Sequence, residues 1–147
     1  MLYIYNRSND PYFNMAAEEY VVQAFRDDVF MLWQNSPVIV VGRKQNTLSE
    51  INYDYVREHH IAVVRRLTGG GAVFHDLGNL NFTFVQGRGE HFSDFSHFTK
   101  PIIEVLAQMG VKAENSGRND LTIDGRKFSG NAQCVTNKFI KYFSINI

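Results

Sequence analysis

The chain has 147 residues, carries fifteen basic and fifteen acidic side chains for a net charge of zero, and is 44% hydrophobic. Those figures suit one globular domain with a moderate core and speak against both a disordered chain and the basic footprint of a nucleic-acid binder. The single cysteine, Cys134, excludes an intrachain disulfide framework and points to a reducing compartment.

The N-terminal run Met1–Tyr5 turns polar at Asn6, too early for the apolar core of a signal peptide, and no apolar run approaches the roughly 18 residues of a membrane span. The expectation is a cytoplasmic protein without a membrane partner. Residues 2–6 read as a short strand. Asp10 offers a cap and Pro11 a first-turn residue, so a helix is expected from there. Phe13, Ala16, Ala17, Tyr20, Val21, Ala24 and Phe25 form its core-facing stripe, with Glu18, Glu19, Gln23 and Arg26 opposite. Residues 29–35 and 38–44 are β-rich and flank Ser36-Pro37, which predicts a hairpin. A short helix over 50–59 and a strand over 62–67 lead into a glycine run. Residues 72–77 and 80–86 are expected to pair around Gly78-Asn79, with Phe82 and Phe84 on one face and Asn81 and Thr83 on the other.

A helix over 95–109 would bury Phe98, Ile102, Leu106 and Met109 and end at Gly110, with Pro101 in its first turn or kinking it. Beyond residue 120, two short strands flank Asp124-Gly125, a strong hairpin signal. The apolar tail of Phe139, Ile140, Tyr142, Phe143, Ile145 and Ile147 reads as a closing strand, which at a sheet edge would be an association hazard. Strands that come singly and in hairpins, without regular strand–helix alternation, imply an α+β fold: a mixed or antiparallel sheet packed with helices.

The most informative stretch is RRLTGGGAVFHD, residues 65–76. Three adjacent glycines let backbone approach a ligand closely. Arg65 and Arg66 before them, with His75 and Asp76 after them, add the fixed charge and hydrogen-bonding groups an anion needs. The standard phosphate signatures do not fit: no Gly-Lys-Ser/Thr follows, and Phe74 stands where a dinucleotide fingerprint has its third glycine. The competing reading is a glycine-rich hairpin loop with incidental arginines.

This loop resembles the lipoate-binding loop of the lipoate–protein ligase A family. Three further segments are similar to that family in the required order: DPYFNMAAEEY (10–20), WQNSPVIVVGRKQN (33–46) and GRNDLTIDGRKFSGNAQ (117–133). The resemblance covers about residues 1–133 and implies a fold shared with biotin protein ligases. It implies ATP-dependent formation of lipoyl-adenylate and transfer of the lipoyl group to a lysine. The acceptors would be lipoyl-carrier domains of 2-oxoacid dehydrogenase complexes or the glycine cleavage H protein. Lipoate, ATP and magnesium would be the ligands, with no permanently bound cofactor.

On that resemblance Lys127 matches the essential lysine, whose charge would stabilise the carboxylate and α-phosphate during adenylation. By itself it reads as a solvated lysine after a turn. Lipoate would lie along Arg65, Arg66, Gly69, Gly70, Gly71, Val73, His75 and Asp76, with Val73, Phe74, Val40 and Phe82 as apolar wall. Gly70→Val would block it by filling space its backbone needs. Arg43, Asp120, Ser129, Gly130 and Ala132 would serve the nucleotide, and Asp120 is also the candidate magnesium ligand; its alternative use is capping a turn. His59, His60, His91 and His97 show no metal-ligand pattern, so no structural metal is expected. Related transferases of octanoyl or lipoyl groups use a cysteine nucleophile, for which Cys134 is the candidate here, although a small buried apolar role suits it better. The tail CVTNKFIKYFSINI does not resemble the family's continuation. Residues 1–147 are therefore expected to form one incomplete catalytic domain without an accessory domain, and a non-catalytic lipoate-binding remnant is the other alternative.

Overall fold

The structure, a computed structural model, describes residues 1–25, 27–87, 95–117, 119–135 and 140–146; Arg26, His91, Phe139 and Ile147 lie outside the described residues. In chain order the elements are β1 (Leu2–Tyr5), α1 (Pro11–Ala24), β2 (Val29–Trp33), β3 (Val38–Val41), α2 (Thr47–Glu50), α3 (Tyr53–Glu58) and β4 (Ala62–Arg65). Then come β5 (Val73–His75), β6 (Asn81–Gly87), α4 (Phe95–Gln108), β7 (Ala113–Ser116), β8 (Asp120–Ile123), β9 (Arg126–Val135) and β10 (Ile140–Asn146). One sheet runs β1-β2-β6-β10-β9-β8-β7 and the other β4-β3-β5. The pairs β1–β2 and β3–β4 are parallel and all others antiparallel, so the α+β, mixed-sheet expectation holds.

Helix α1 begins as its residues dictate: Asp10 Oδ1 accepts from the amides of Tyr12 (2.9 Å) and Phe13 (3.3 Å), and Pro11 takes the first turn. Its buried face is not the expected one. Pro11, Asn14, Glu18, Val21 and Val22 point inward, while Phe13 and Tyr20 are exposed. Asn14 and Glu18 are tolerated inside because each is hydrogen-bonded. Asn14 meets Asn6, Ser8, Gln34 and Asn35, and Glu18 Oε1 accepts from Thr83 Oγ1 at 2.7 Å. Thr83 in turn accepts from Trp33 Nε1 at 2.9 Å. Met15 of α1 packs against both Val29-Met31-Trp33-Val85 of the large sheet and Val38-Val40-Val64 of the small one, so α1 lies between the sheets.

Two expected hairpins do not form. Strands β2 and β3 go to different sheets, as do β5 and β6. At the second crossing the Gly78 amide donates to Asp76 Oδ1 (2.7 Å) and the Asp76 amide to Asn79 Oδ1 (2.9 Å), a turn that redirects the chain between sheets instead of folding it back. On β6 the alternation is as expected. Phe82 and Phe84 join Phe98, Ile102 and Leu121 under α4, while Asn81 and Thr83 are buried on the opposite face, where Thr83 meets Glu18 of α1. Met109 is 72% exposed, contrary to expectation, because Gly110 ends the helix there. The Asp124-Gly125 turn has φ of 49° and 72°, the two positive angles of a tight hairpin turn, and joins β8 to β9. β10 is not an edge strand: it lies between β6 and β9 in the middle of the large sheet.

Candidate functional site

The glycine loop is shaped by groups on three neighbouring segments. Arg65, on the last residue of β4, donates through Nη1 to the carbonyls of Gly42 (2.7 Å), Gln45 (2.9 Å) and Arg43 (3.3 Å), and through Nη2 to Thr47 Oγ1 (2.7 Å). Arg66 donates to the carbonyls of Val40 (3.1 Å), Gly69 (2.8 Å) and Gly71 (2.7 Å), and through Nε to Thr68 Oγ1 (3.1 Å). Both guanidinium forks are thus anchored on backbone carbonyls and set the loop's path. Gly42 faces the same loop: a side chain there would overlap the Gly70 carbonyl oxygen. Gly70 has φ +99°, and a Cβ on it would meet Arg66 Nη2 at 2.8 Å, whereas Cβ atoms on Gly69 and Gly71 would have open space within 4 Å. Gly70→Val would therefore bring backbone strain and a clash with Arg66 at a position that lines the cleft between the loop and β9.

A cleft of about 590 Å³ separates this loop from β9. Its walls bring together Arg66, Gly69, Gly70, Gly71, Val73 and His75 on one side with Lys127, Ser129, Gly130 and Ala132 on the other, joined by Asn119 and Asn131. Arg43, Arg65, Asp76 and Asp120 do not line it. Lys127 Nζ lies 2.9 Å from Asp120 Oδ1, an ion contact without aligned hydrogen-bond geometry that leaves the lysine 57% exposed. Asn119 and Asn131 clamp one another: Asn119 Nδ2 donates to the Asn131 carbonyl, and both Asn131 nitrogens donate to the Asn119 carbonyl, each at 2.9 Å. Ser129 Oγ and Asn131 Oδ1 are buried with no hydrogen-bond partner among the described residues, which is costly unless a ligand in the cleft supplies one. Asn131, Asn119 and Gly42 escaped the sequence reading as site residues. The signal available for them was their place inside two of the ordered segments.

His75 is 4% exposed, with its Nδ1 3.2 Å from Asn35 Nδ2. Burial, aided by the Arg66 charge and opposed by Asp76, lowers its pKa to about 4, so it is neutral near pH 7. Asp76 serves the turn that follows. Cys134 lies elsewhere, in a hollow of about 370 Å³ lined also by Glu19, Gln23, Arg43, Arg65 and Arg66. Among the described residues no three His, Cys, Asp or Glu side chains converge as a metal site, and no helix is long and apolar enough to cross a membrane.

The family model for the lipoyl protein ligase A/B catalytic domain matches residues 10–144. The chain is 53% identical over 140 residues to lipoate-protein ligase LplJ of Bacillus subtilis, covering 92% of this chain and 42% of that protein. It thus spans about two fifths of that curated relative's length. Among solved structures it is similar to P. falciparum LipL1 in complex with lipoate, with a TM-score of 0.91 and 30% identity, covering 99% of this chain and 47% of that one. It is also similar to the bi-partite lipoate protein ligase of Thermoplasma acidophilum, described with its E2 lipoyl domain, at TM-score 0.90 and 25% identity over 99% of this chain and 60% of that one.

Proposed function

This chain belongs to the lipoyl protein ligase A/B catalytic-domain family, and from that premise we propose that its cleft binds lipoate and ATP and supports lipoate activation and transfer to a lysine of a lipoyl-carrier domain. One observation carries the reading: the glycine loop and Lys127, far apart in the chain and on different sheets, face each other across one cleft.

In this reading the loop amides of 69–71 receive the carboxylate, and Val73 with Phe74 and Ala72 offers an apolar wall to the tail. A carboxylate oxygen attacks the α-phosphorus of ATP, the new P–O bond forms, and pyrophosphate leaves. Lys127, the cation of the opposite wall, stabilises the charge that builds on the carboxylate and α-phosphate. The acceptor's neutral ε-amine then attacks the acyl carbon and AMP leaves, with the amine's proton passing to solvent. Ser129, Gly130 and Ala132 line the nucleotide end. Asp120, beside Lys127, would hold a magnesium ion brought with the nucleotide, and that ion would offset phosphate charge. Arg43 and Arg65 act indirectly, through the loop. Cytoplasmic residence and acceptors in 2-oxoacid dehydrogenase or glycine cleavage complexes belong to the same proposal.

The test is mass spectrometry of a lipoyl-carrier domain incubated with this chain, lipoate, ATP and magnesium. An ATP-dependent lipoyl mass increase is expected, with Lys127→Ala lowering its rate by about a hundredfold or more. That lysine is more than half exposed, so the variant should keep its fold. Normal ligation by Lys127→Ala would remove its role, and no ligation by the native chain under conditions where a longer relative is active would overturn the activity proposed for these 147 residues.

A further inference from the structure

In a regular strand, residues three apart point to opposite faces of the sheet. Lys127 and Gly130 of β9 break that rule. A Cβ placed on Gly130 would lie 3.6 Å from both Cε and Nζ of Lys127, so the ammonium lies over the bare face of the glycine. The register shows how this arises. Asp120 pairs with Gly130 and Leu121 with Ser129, but Thr122 then pairs with Lys127, which leaves Phe128 without a partner on β8. Strand β9 therefore carries a one-residue bulge at Phe128, and such an extra residue re-aims the side chains beside it. Beyond the bulge Lys127 shares the face of Thr122 and Asp120, whose Oδ1 is 2.9 Å from its Nζ.

That face is the one the cleft needs. Ala132 lies opposite Ser144 of β10, and Ser144 opposite Thr83 of β6, which meets Glu18 of α1. Side chains directly opposite one another share a face. Gly130 and Ala132, and with them Lys127, thus face the α1 side, where the glycine loop closes the cleft. The other face belongs to α4. Leu121 is 0% exposed there in the cluster with Phe84, Phe98 and Ile102, and Phe128, which also borders the cleft, packs against that cluster. An unbroken alternation from Gly130 would send Lys127 into this apolar core, which an ammonium enters only at heavy cost. We propose that Phe128 is a positioning residue for Lys127: its ring, seated under α4, holds the extra residue of β9, and the bulge so fixed gives the cleft face to the lysine. Gly130 completes the device, because it offers no side chain where the lysine's ammonium lies. The direction of the lysine stands on the register alone, whereas its use in lipoate activation rests on the function proposed above.

The experiment has a structural arm and a kinetic one. In NMR of the full chain, NOEs are expected from the Lys127 ε-methylene to the Gly130 α-protons; NOEs to Leu121 in their place would overturn the proposal whether or not the chain ligates lipoate. The kinetic arm moves the lysine by one position in the double variant Lys127→Ala/Phe128→Lys. A bulged strand turns position 128 under α4, so ligation no faster than in Lys127→Ala is expected. Restored ligation would mean that the strand runs regularly, and would overturn the bulge's role. Should that variant not fold, Phe128→Ala keeps the question decidable. It should lower kcat about tenfold to a hundredfold, the cost of displacing a catalytic group by about 1 Å, with KM for lipoate and ATP little changed. Phe128→Leu, which refills the apolar seat, should recover most of that rate. A merely structural role would lower the melting temperature without separating kcat from KM, and native kcat in folded Phe128→Ala would overturn the positioning role. Should the native chain not ligate lipoate at all, the functional reading fails while the NOEs still decide where the lysine points.

Discussion

His75 shows how one side chain ties stability to the site. It sits 4% exposed with its pKa lowered from 6.5 to about 4, chiefly by burial. The unfolded chain therefore binds a proton between those values that the folded chain refuses, so the neutral ring's contribution is complete above about pH 6.5 and is lost as pH falls toward 4. Between pH 7 and pH 5 the loss should be about 2 kcal/mol. Urea unfolding at the two pH values would measure it, and His75→Gln should flatten that part of the dependence; an unchanged slope would mean that other groups carry it. The residues 65–76 stand out in the sequence as a candidate ligand loop because glycine and arginine are rare in such a cluster. The work of Arg65 was not legible. Its fork closes on the carbonyls of residues 42, 43 and 45, and a run of letters does not show which guanidinium meets backbone and which meets ligand.

Among the elements, the glycine loop depends on the end of β3. Gly42 leaves room for the Gly70 carbonyl, and Gln45 Oε1 accepts from the Gly42 amide at 2.7 Å. Gly42→Ala should push the loop off β3 and weaken lipoate binding by at least tenfold, because backbone, unlike a flexible side chain, cannot yield cheaply to a methyl group. Calorimetry reads it, and a variant that binds lipoate normally would show the loop to be more compliant than its contacts imply. Local signals located most elements well. The Asp10 cap, the Asp124-Gly125 turn and the alternation of β6 depend on neighbours in the chain, and all three are found. The two expected hairpins failed for the opposite reason. Turn residues at Ser36-Pro37 and Gly78-Asn79 announce that the chain bends, but not which sheet it enters next. The α1 stripe was displaced because hydropathy counts Asn14 and Glu18 as outward, whereas partners distant in sequence make their burial tolerable.

For the molecule as a whole, β10 is the strand that closes the large sheet, paired with β6 along seven residues and with β9 along six. A chain ended after residue 135 would leave two long unpaired edges in mid-sheet, and we expect it to lose cooperative unfolding and aggregate. Circular dichroism melting with size-exclusion chromatography checks this; a monomer that melts like the full chain would show the strand to be dispensable. By itself the sequence determined the α+β class, the starts of α1 and α4, the tight turn before β9 and the ordered segments that mark the lipoyl ligase family. These follow from local backbone preference and from residue types rare enough in combination to identify themselves. Only the tertiary structure decided that β10 is central, that α1 lies between two sheets, and that the glycine loop meets Lys127 across one cleft while Asn35 meets the buried His75. Each of those is a pairing between distant segments, selected by packing and by the need of buried polar groups for partners, and no local pattern encodes it.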